Sequence, residues 1–136
     1  MTYKEFLKSL NEETDDRTDD EIGLILYCRD SILSVKDSEN WTIPKDRLKI
    51  LETKDQGVVR LFKQVFDLDV DGNRFDLIST KFNSNRGKLY LYTYQCRSNY
   101  RTNGYIDEAY SDSNWYSVDD LPKPFCRETI DYIKQL

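Results

Sequence analysis

The residues best suited to chemistry in this chain are charged side chains in the segment Trp41–Val70. Glu52 and Arg60 carry opposite charges and can pair, which would tie a loop to the segment that follows it. Lys45, Arg47 and Arg60 are cations of the kind that receive phosphate groups. By contrast, one carboxylate seldom holds a cluster of two or three metal ions, since several anionic oxygens must converge on it.

A helix over residues 54 to 66 would position part of this segment. Thr53 is suited to cap its N-terminus, and Gln56 stands where it can complete a capping box. Four apolar residues of this segment share one helical face and predict packing on a sheet: Val58, Phe62, Val65 and Phe66.

Strands are predicted on both sides of the helix. Residues 22 to 28 and 31 to 35 are short apolar runs joined by a turn at Arg29-Asp30, and residues 74 to 82 and 88 to 97 predict a second antiparallel pair. In the last of these strands three tyrosines alternate along one face: Tyr90, Tyr92 and Tyr94. Such a ladder is either the half-buried face of a sheet or, less often, a surface on which a base stacks.

The end of the chain predicts one more strand near Trp115 and a closing helix from about Pro124 to Gln135, with an apolar stripe that includes Phe125 and Ile130. Strands, a helix, further strands and a final helix, in this order, indicate an α/β fold. Its helices would cover both faces of a mixed sheet.

Residues 1 to 20 are predicted to be a short helix and an acidic linker. Residues 2 to 10 place four apolar side chains at helical spacing: Tyr3, Phe6, Leu7 and Leu10. This stripe either docks on the chain's own domain or contacts a partner. Residues 11 to 21 are acidic and without periodicity, which is typical of a solvated linker.

Composition limits the function classes. The 136 residues fit one domain, and the net charge of -5 argues against broad nonspecific binding of nucleic acid. The chain has no histidine, which excludes Ser-His and Cys-His catalysis. Three scattered cysteines favour free thiols in a cytoplasmic protein. No apolar run suggests a membrane span or signal peptide, and the single alanine is compatible with an AT-rich source such as a phage or virus.

The segment Trp41–Val70 resembles the Nudix box, the signature of the Nudix hydrolase family. That pattern is Gly, five residues, Glu, seven residues, then Arg-Glu-aliphatic-any-Glu-Glu-any-Gly-aliphatic. Laid on this chain without a gap, it runs from Asp46 to Leu68 and finds Glu52 and Arg60 in place. Leu61, Gln64 and Val65 stand where the family has three metal-binding glutamates, and Asp46 and Asp67 replace its two glycines.

The resemblance extends over residues 21 to 136 and implies a Nudix-like domain, an α/β/α sandwich around a mixed sheet. Its strands include the runs at Glu21, Ser31 and Trp41, and a late strand near Ile106. Nudix hydrolases cut nucleoside diphosphate derivatives with divalent metal held by the box glutamates. The degenerate box therefore predicts a protein that has lost hydrolysis and needs no metal or other cofactor.

Such a protein would act by binding. The candidates for a nucleotide-like ligand are Lys45, Arg47, Arg60 and Gln64. The candidates for contact with a protein partner are Leu61, Val65, Phe6 and Leu7; the two box residues qualify only if they are exposed, and are core if the helix buries them. The alternative is a divergent pyrophosphohydrolase that uses Mg²⁺ or Mn²⁺. Its metal ligands would be Glu52, Asp107 and Glu108, of which Glu52 and Glu108 would be catalytic.

Overall fold

A computed structural model of the chain describes residues 17–70, 72–83, 86–98 and 100–134. The predicted N-terminal helix, with Phe6 and Leu7, and residues 11 to 16 of the predicted linker lie outside these ranges. Arg17–Asp20 correct the linker prediction, because they are the first residues of a strand, β1, that extends over Arg17–Cys28.

Seven strands form one mixed sheet. They are, in chain order, β1 (Arg17–Cys28), β2 (Ser31–Lys36), β3 (Trp41–Thr42), β4 (Lys45–Lys49), β5 (Asp76–Phe82), β6 (Lys88–Gln95) and β7 (Asp112–Ser117). The strands β3, β2, β1, β6 and β5 follow one another across the sheet, while β4 pairs with β1 and β7 with β2. The pair β1–β6 is parallel and the other pairs are antiparallel. Both predicted antiparallel pairs are confirmed.

The first helix, α1, has the predicted bounds, Lys54–Phe66. The Thr53 hydroxyl accepts a hydrogen bond from the Gln56 amide, and the Gln56 side chain accepts one from the Thr53 amide, so the capping box is confirmed. The helix ends at Asp67, whose left-handed backbone (φ 56°) is one that glycine adopts at least cost. Asp67 stands at the second glycine position of the box pattern and thus has a backbone conformation that favours glycine.

Two further helices complete the sandwich: α2 (Gly104–Ala109) and α3 (Arg127–Ile133). One apolar core joins α1 and Ile106 of α2 to one face of the sheet, and a second joins Ile133 of α3 to the other face. The predicted α/β/α sandwich around a mixed sheet is therefore confirmed. No helix of the described ranges is long and apolar enough to cross a membrane.

Two local predictions are corrected. The run at Ile106 is helical, whereas a late strand was expected there. The closing helix begins at Arg127, after the predicted start at Pro124. The favoured interpretation of the tyrosine ladder as a half-buried sheet face is confirmed, because Tyr92 and Tyr94 are buried, Tyr90 is partly buried, and Tyr94 packs against the ring of Phe62. The rings of Tyr92 and Tyr94 are therefore closed to a stacked base.

Candidate functional site

The centre of the degenerate box is an ion pair between the loop before α1 and the helix itself. Arg60 donates from Nε to Glu52 Oε2 at 2.8 Å and from Nη2 to Glu52 Oε1 at 2.9 Å. The Lys49 amide donates to the same Oε1 atom at 3.2 Å. This two-pronged geometry is the strongest that arginine and a carboxylate can form, and it fixes the loop on the helix.

Asp46 adds a second carboxylate to this pair, at the position of the first box glycine. Arg60 Nη1 donates to Asp46 Oδ2 at 2.7 Å, and Arg17 Nη1 donates to the same oxygen at 3.1 Å. The Arg47 carbonyl accepts from both Arg60 Nη2 and Arg17 Nη1. All three guanidinium nitrogens of Arg60 are therefore bonded within the chain, and its predicted role in ligand binding would require breaking these bonds.

The shifts in pKa of Glu52 and Arg60 both favour the charged forms of the two side chains. Burial by itself raises the pKa of Glu52, but hydrogen bonds from Arg60 and the Lys49 amide outweigh it and leave the pKa below its ordinary value. Burial lowers the pKa of Arg60, and hydrogen bonds to Glu52 and Asp46 reverse this and raise it above its usual range. A general base works best with a pKa near the working pH, so this arrangement does not suit Glu52 to that role.

Leu61 and Val65, at two of the glutamate positions of the box pattern, belong to the core. Leu61 is 2% exposed and Val65 is 0% exposed, and both share an apolar cluster with Ile106 of α2. The Asn103 amide, just before α2, donates to the Val65 carbonyl at 2.6 Å. The prediction that Leu61 and Val65 contact a partner is therefore wrong, because neither side chain reaches the surface.

Gln64 is the one polar side chain left at the three glutamate positions. Its Oε1 atom is buried and has no hydrogen-bond partner among the described residues, while its backbone carbonyl accepts from Asn103 Nδ2. Gln64 and Arg60 line a shallow cavity of about 410 Å³ together with Lys63 and Asp67. One neutral amide oxygen cannot replace three carboxylates around a divalent metal.

The carboxylates proposed to rebuild a metal site do not form a cluster within the described part of the chain. Glu108 is exposed on α2, and Glu52 is bonded to Arg60. The side chain of Asp107 lies outside the described residues. No group of three or more His, Cys, Asp or Glu side chains that could hold a metal occurs among those described.

The predicted ligand-binding residues are brought together only in part: the Arg47 carbonyl accepts a hydrogen bond from Arg60, and Gln64 lines a cavity with Arg60. Lys45 lines a different cavity, of about 480 Å³, whose other walls include Tyr110 and Arg127. The Tyr110 hydroxyl accepts from the Lys45 amide and donates to the Lys45 carbonyl, both at 3.1 Å. Only Arg60 and Gln64, of the four candidates, share a cavity.

The sequence analysis did not predict Arg17 as part of this site, and it described Asp46 only as the replacement of a box glycine. Asp46 stands where the box pattern has a flexible glycine. Its carboxylate lies between Arg17 and Arg60 and pairs with both. The signal available in the sequence was a carboxylate at a glycine position of the box pattern, close to Glu52 and Arg60, which match that pattern. The partner Arg17 carries no such signal, because it lies in the segment that resembled a linker.

No protein-family model matches the sequence, and no curated protein matches it. Solved structures do match the fold. A MutT NUDIX hydrolase from Burkholderia pseudomallei has a TM-score of 0.72 at 17% identity, over 86% of this chain and 96% of that one. The NUDIX domain of Shewanella oneidensis NrtR, complexed with ADP ribose, has a TM-score of 0.69 at 17% identity, over 99% and 96%.

The E. coli dihydroneopterin triphosphate pyrophosphohydrolase is a further match, with a TM-score of 0.69 at 15% identity over 88% of this chain and 95% of that one. At identities this low, the structural similarity shows the fold and does not show an activity. The resemblance of the box spacing is therefore matched by the arrangement of strands and helices. The chain has the Nudix fold.

Proposed function

We propose that this protein is a Nudix-fold binding protein that does not hydrolyse its ligand, and that the ligand is nucleotide-like. The observation that carries the loss of hydrolysis is the burial of Leu61 and Val65, 2% and 0% exposed, on the edge that holds metal in the hydrolases it resembles. Hard divalent cations need several anionic oxygens. Of the four glutamate positions of the box pattern (52, 61, 64 and 65), only position 52 carries a carboxylate. Glu52 is bonded to Arg60.

A nucleotide-like ligand is supported by the similarity in fold to a NUDIX domain solved with ADP ribose, with which the match extends over 99% of this chain. Within the site, Gln64 and Arg60 line a cavity of about 410 Å³. Lys45 supplies a cation at a second cavity. Binding without hydrolysis needs such donors and acceptors but no metal cluster. Contact with a protein partner through Phe6 and Leu7 stays a prediction.

Two measurements on the purified full chain test the proposal. The first is turnover of nucleoside diphosphate derivatives, dinucleoside polyphosphates and capped RNA with Mg²⁺ or Mn²⁺, followed by chromatography. The second is calorimetric titration of ADP-ribose in the presence of EDTA. We expect no turnover and metal-independent binding.

Metal-dependent turnover that disappears in Glu52→Gln, measured where that variant is still folded, would refute the loss of hydrolysis. It would direct attention to Asp107 and Glu108 as the remaining ligands of a divergent pyrophosphohydrolase. Absence of both turnover and binding to every compound of the panel would refute the nucleotide-like ligand.

A further inference from the structure

A second candidate site lies where the parallel strands β1 and β6 end. Parallel strands present their carboxyl ends at the same edge of a sheet, and the Cys96 amide, just after β6, donates to the Tyr27 carbonyl of β1 at 2.8 Å. An open cavity of about 530 Å³ lies at this edge. A neighbouring cavity of about 490 Å³ shares Cys28, Arg29 and Arg97 with it, so the two form one continuous recess.

Three arginines from separate parts of the chain line this recess. Arg29 is in the turn between β1 and β2, Arg74 is in a single 3-10 turn before β5, and Arg97 follows β6. All three are exposed, and none of them forms an ion pair with another described residue. The guanidinium of Arg74 lies 5.6 Å from the centre of the Tyr94 ring, a cation–π contact that holds it at the recess.

The recess is positively charged in a chain whose net charge is -5. The acidic side chains that line it are Asp76 in one cavity and Asp30 in the other, against three guanidinium groups. Its floor includes the buried thiols Cys28 and Cys96. Burial, assisted by the neighbouring Cys28, raises the pKa of Cys96 to about 12, so this thiol adds no negative charge at neutral pH.

Arginines that line an open recess and have no ion-pair partner among the described residues are suited to a polyanion. A guanidinium presents a planar fork that matches two oxygens of a phosphate group, and charge-assisted bonds of this kind are about twice as strong as neutral ones. Three such forks exceed what a single carboxylate needs, and the recess has room for more than one phosphate.

We propose that Arg29, Arg74 and Arg97 form a binding site for a pyrophosphate group, either free or as part of a nucleotide derivative. The inference deepens the proposed function, because it names the group of the ligand that the protein recognises and moves its recognition away from the box helix. None of the residues that line this recess belongs to the cavity beside Arg60 and Gln64.

The test compares single variants by calorimetric titration with inorganic pyrophosphate and, separately, with ADP-ribose, in EDTA at low salt. Arg29→Gly suits the turn, because the φ of 54° at this position favours glycine. Arg97→Gln removes the second charge. Arg86→Gly is the matched control, since Arg86 is an exposed arginine with a φ of 66° in the turn before β6, at the end of that strand away from the recess.

We expect pyrophosphate affinity to fall about tenfold in Arg29→Gly and in Arg97→Gln, by the loss of one charge-assisted contact each, and to stay within about twofold in Arg86→Gly. Equal weakening in all three variants would refute the site in favour of a diffuse charge effect. Failure of the wild-type protein to bind pyrophosphate in either form would refute it as well.

The two proposals fail in different ways. Binding of ADP-ribose that Arg29→Gly and Arg97→Gln leave unchanged would overturn the arginine site and leave the proposed function intact. Pyrophosphate binding that depends on these arginines, in a protein that hydrolyses nucleotides with metal, would overturn the loss of hydrolysis and support the site.

Discussion

Replacing Glu52 by glutamine separates a structural role of this carboxylate from a catalytic one. Glu52 accepts hydrogen bonds from Arg60 Nε, Arg60 Nη2 and the Lys49 amide, and its side chain is 12% exposed. Glutamine keeps one oxygen but turns an amide N–H₂ toward a guanidinium nitrogen. Arg60, 16% exposed, then loses one charge-assisted bond and gains a donor–donor clash.

The expected loss of unfolding free energy at pH 7 is about 2 to 3 kcal/mol, the range for breaking a charged hydrogen bond at a half-buried site where Asp46 still pairs with the arginine. For a domain of this length, that loss lowers Tm by about 6 to 12 °C. Thermal unfolding followed by circular dichroism measures it. Glu39→Gln, which removes a carboxylate from an exposed turn, is the matched control and is expected to change Tm by less than about 2 °C.

The difference in Tm between Glu52→Gln and the wild-type protein depends on pH. The pKa of Glu52 is lower in the folded state than its ordinary value of 4.5. Its ionised form therefore stabilises the fold fully above about pH 4.5, and this contribution disappears as the pH falls through the folded-state pKa. We expect the gap in Tm to narrow between pH 5 and pH 3. An unchanged Tm at pH 7, or a gap that is the same at pH 3, would refute the role of the ionised pair.

Three further predictions concern α1 and its ends. Gly57→Ala is expected to destabilise by about 1 kcal/mol or more in urea denaturation, although alanine favours helices, because its Cβ would clash with the buried Leu48 side chain. Asp67→Gly is expected to stabilise by about 0.5 to 1 kcal/mol in the same assay, because φ at this position is 56°; a loss would show that the aspartate side chain contributes. Leu61→Glu is expected to lower the free energy of unfolding by at least about 3 kcal/mol, because it places a carboxylate in the core, and Leu61→Met by less than about 1.5 kcal/mol. Equal stability of the two variants would show that position 61 is open to water.

The parts of the fold that the sequence predicted well depend on short-range signals. The cap at Thr53 and the apolar stripe of α1 lie within a few residues of the helix that they specify. The turn at Arg29-Asp30 joins two apolar runs that pair with each other. In each case the partners are close in sequence, so residue types alone fix the local geometry.

The parts that the sequence did not predict depend on partners far along the chain. Arg17–Asp20 have no apolar periodicity and are a strand because Arg17 pairs with Lys49 of β4. The arginine recess joins residues before β2, before β5 and after β6. A periodicity search cannot find such sets, because each member alone resembles an ordinary charged surface residue.

Positions 61 and 65 of the box pattern carry core residues in this protein. At positions 61 and 65 an apolar side chain removes a carboxylate and also fills the space between α1 and α2, where Ile106 closes the cluster. Glu52 pairs with Arg60 and Asp46 reinforces the pair, so that the loop before α1 is anchored on the helix. A glutamate restored at position 61 or 65 would enter this core and destabilise the fold before it could contribute to a metal site. In this fold, positions 61 and 65 therefore contribute packing between α1 and α2, and the box ion pair anchors the loop.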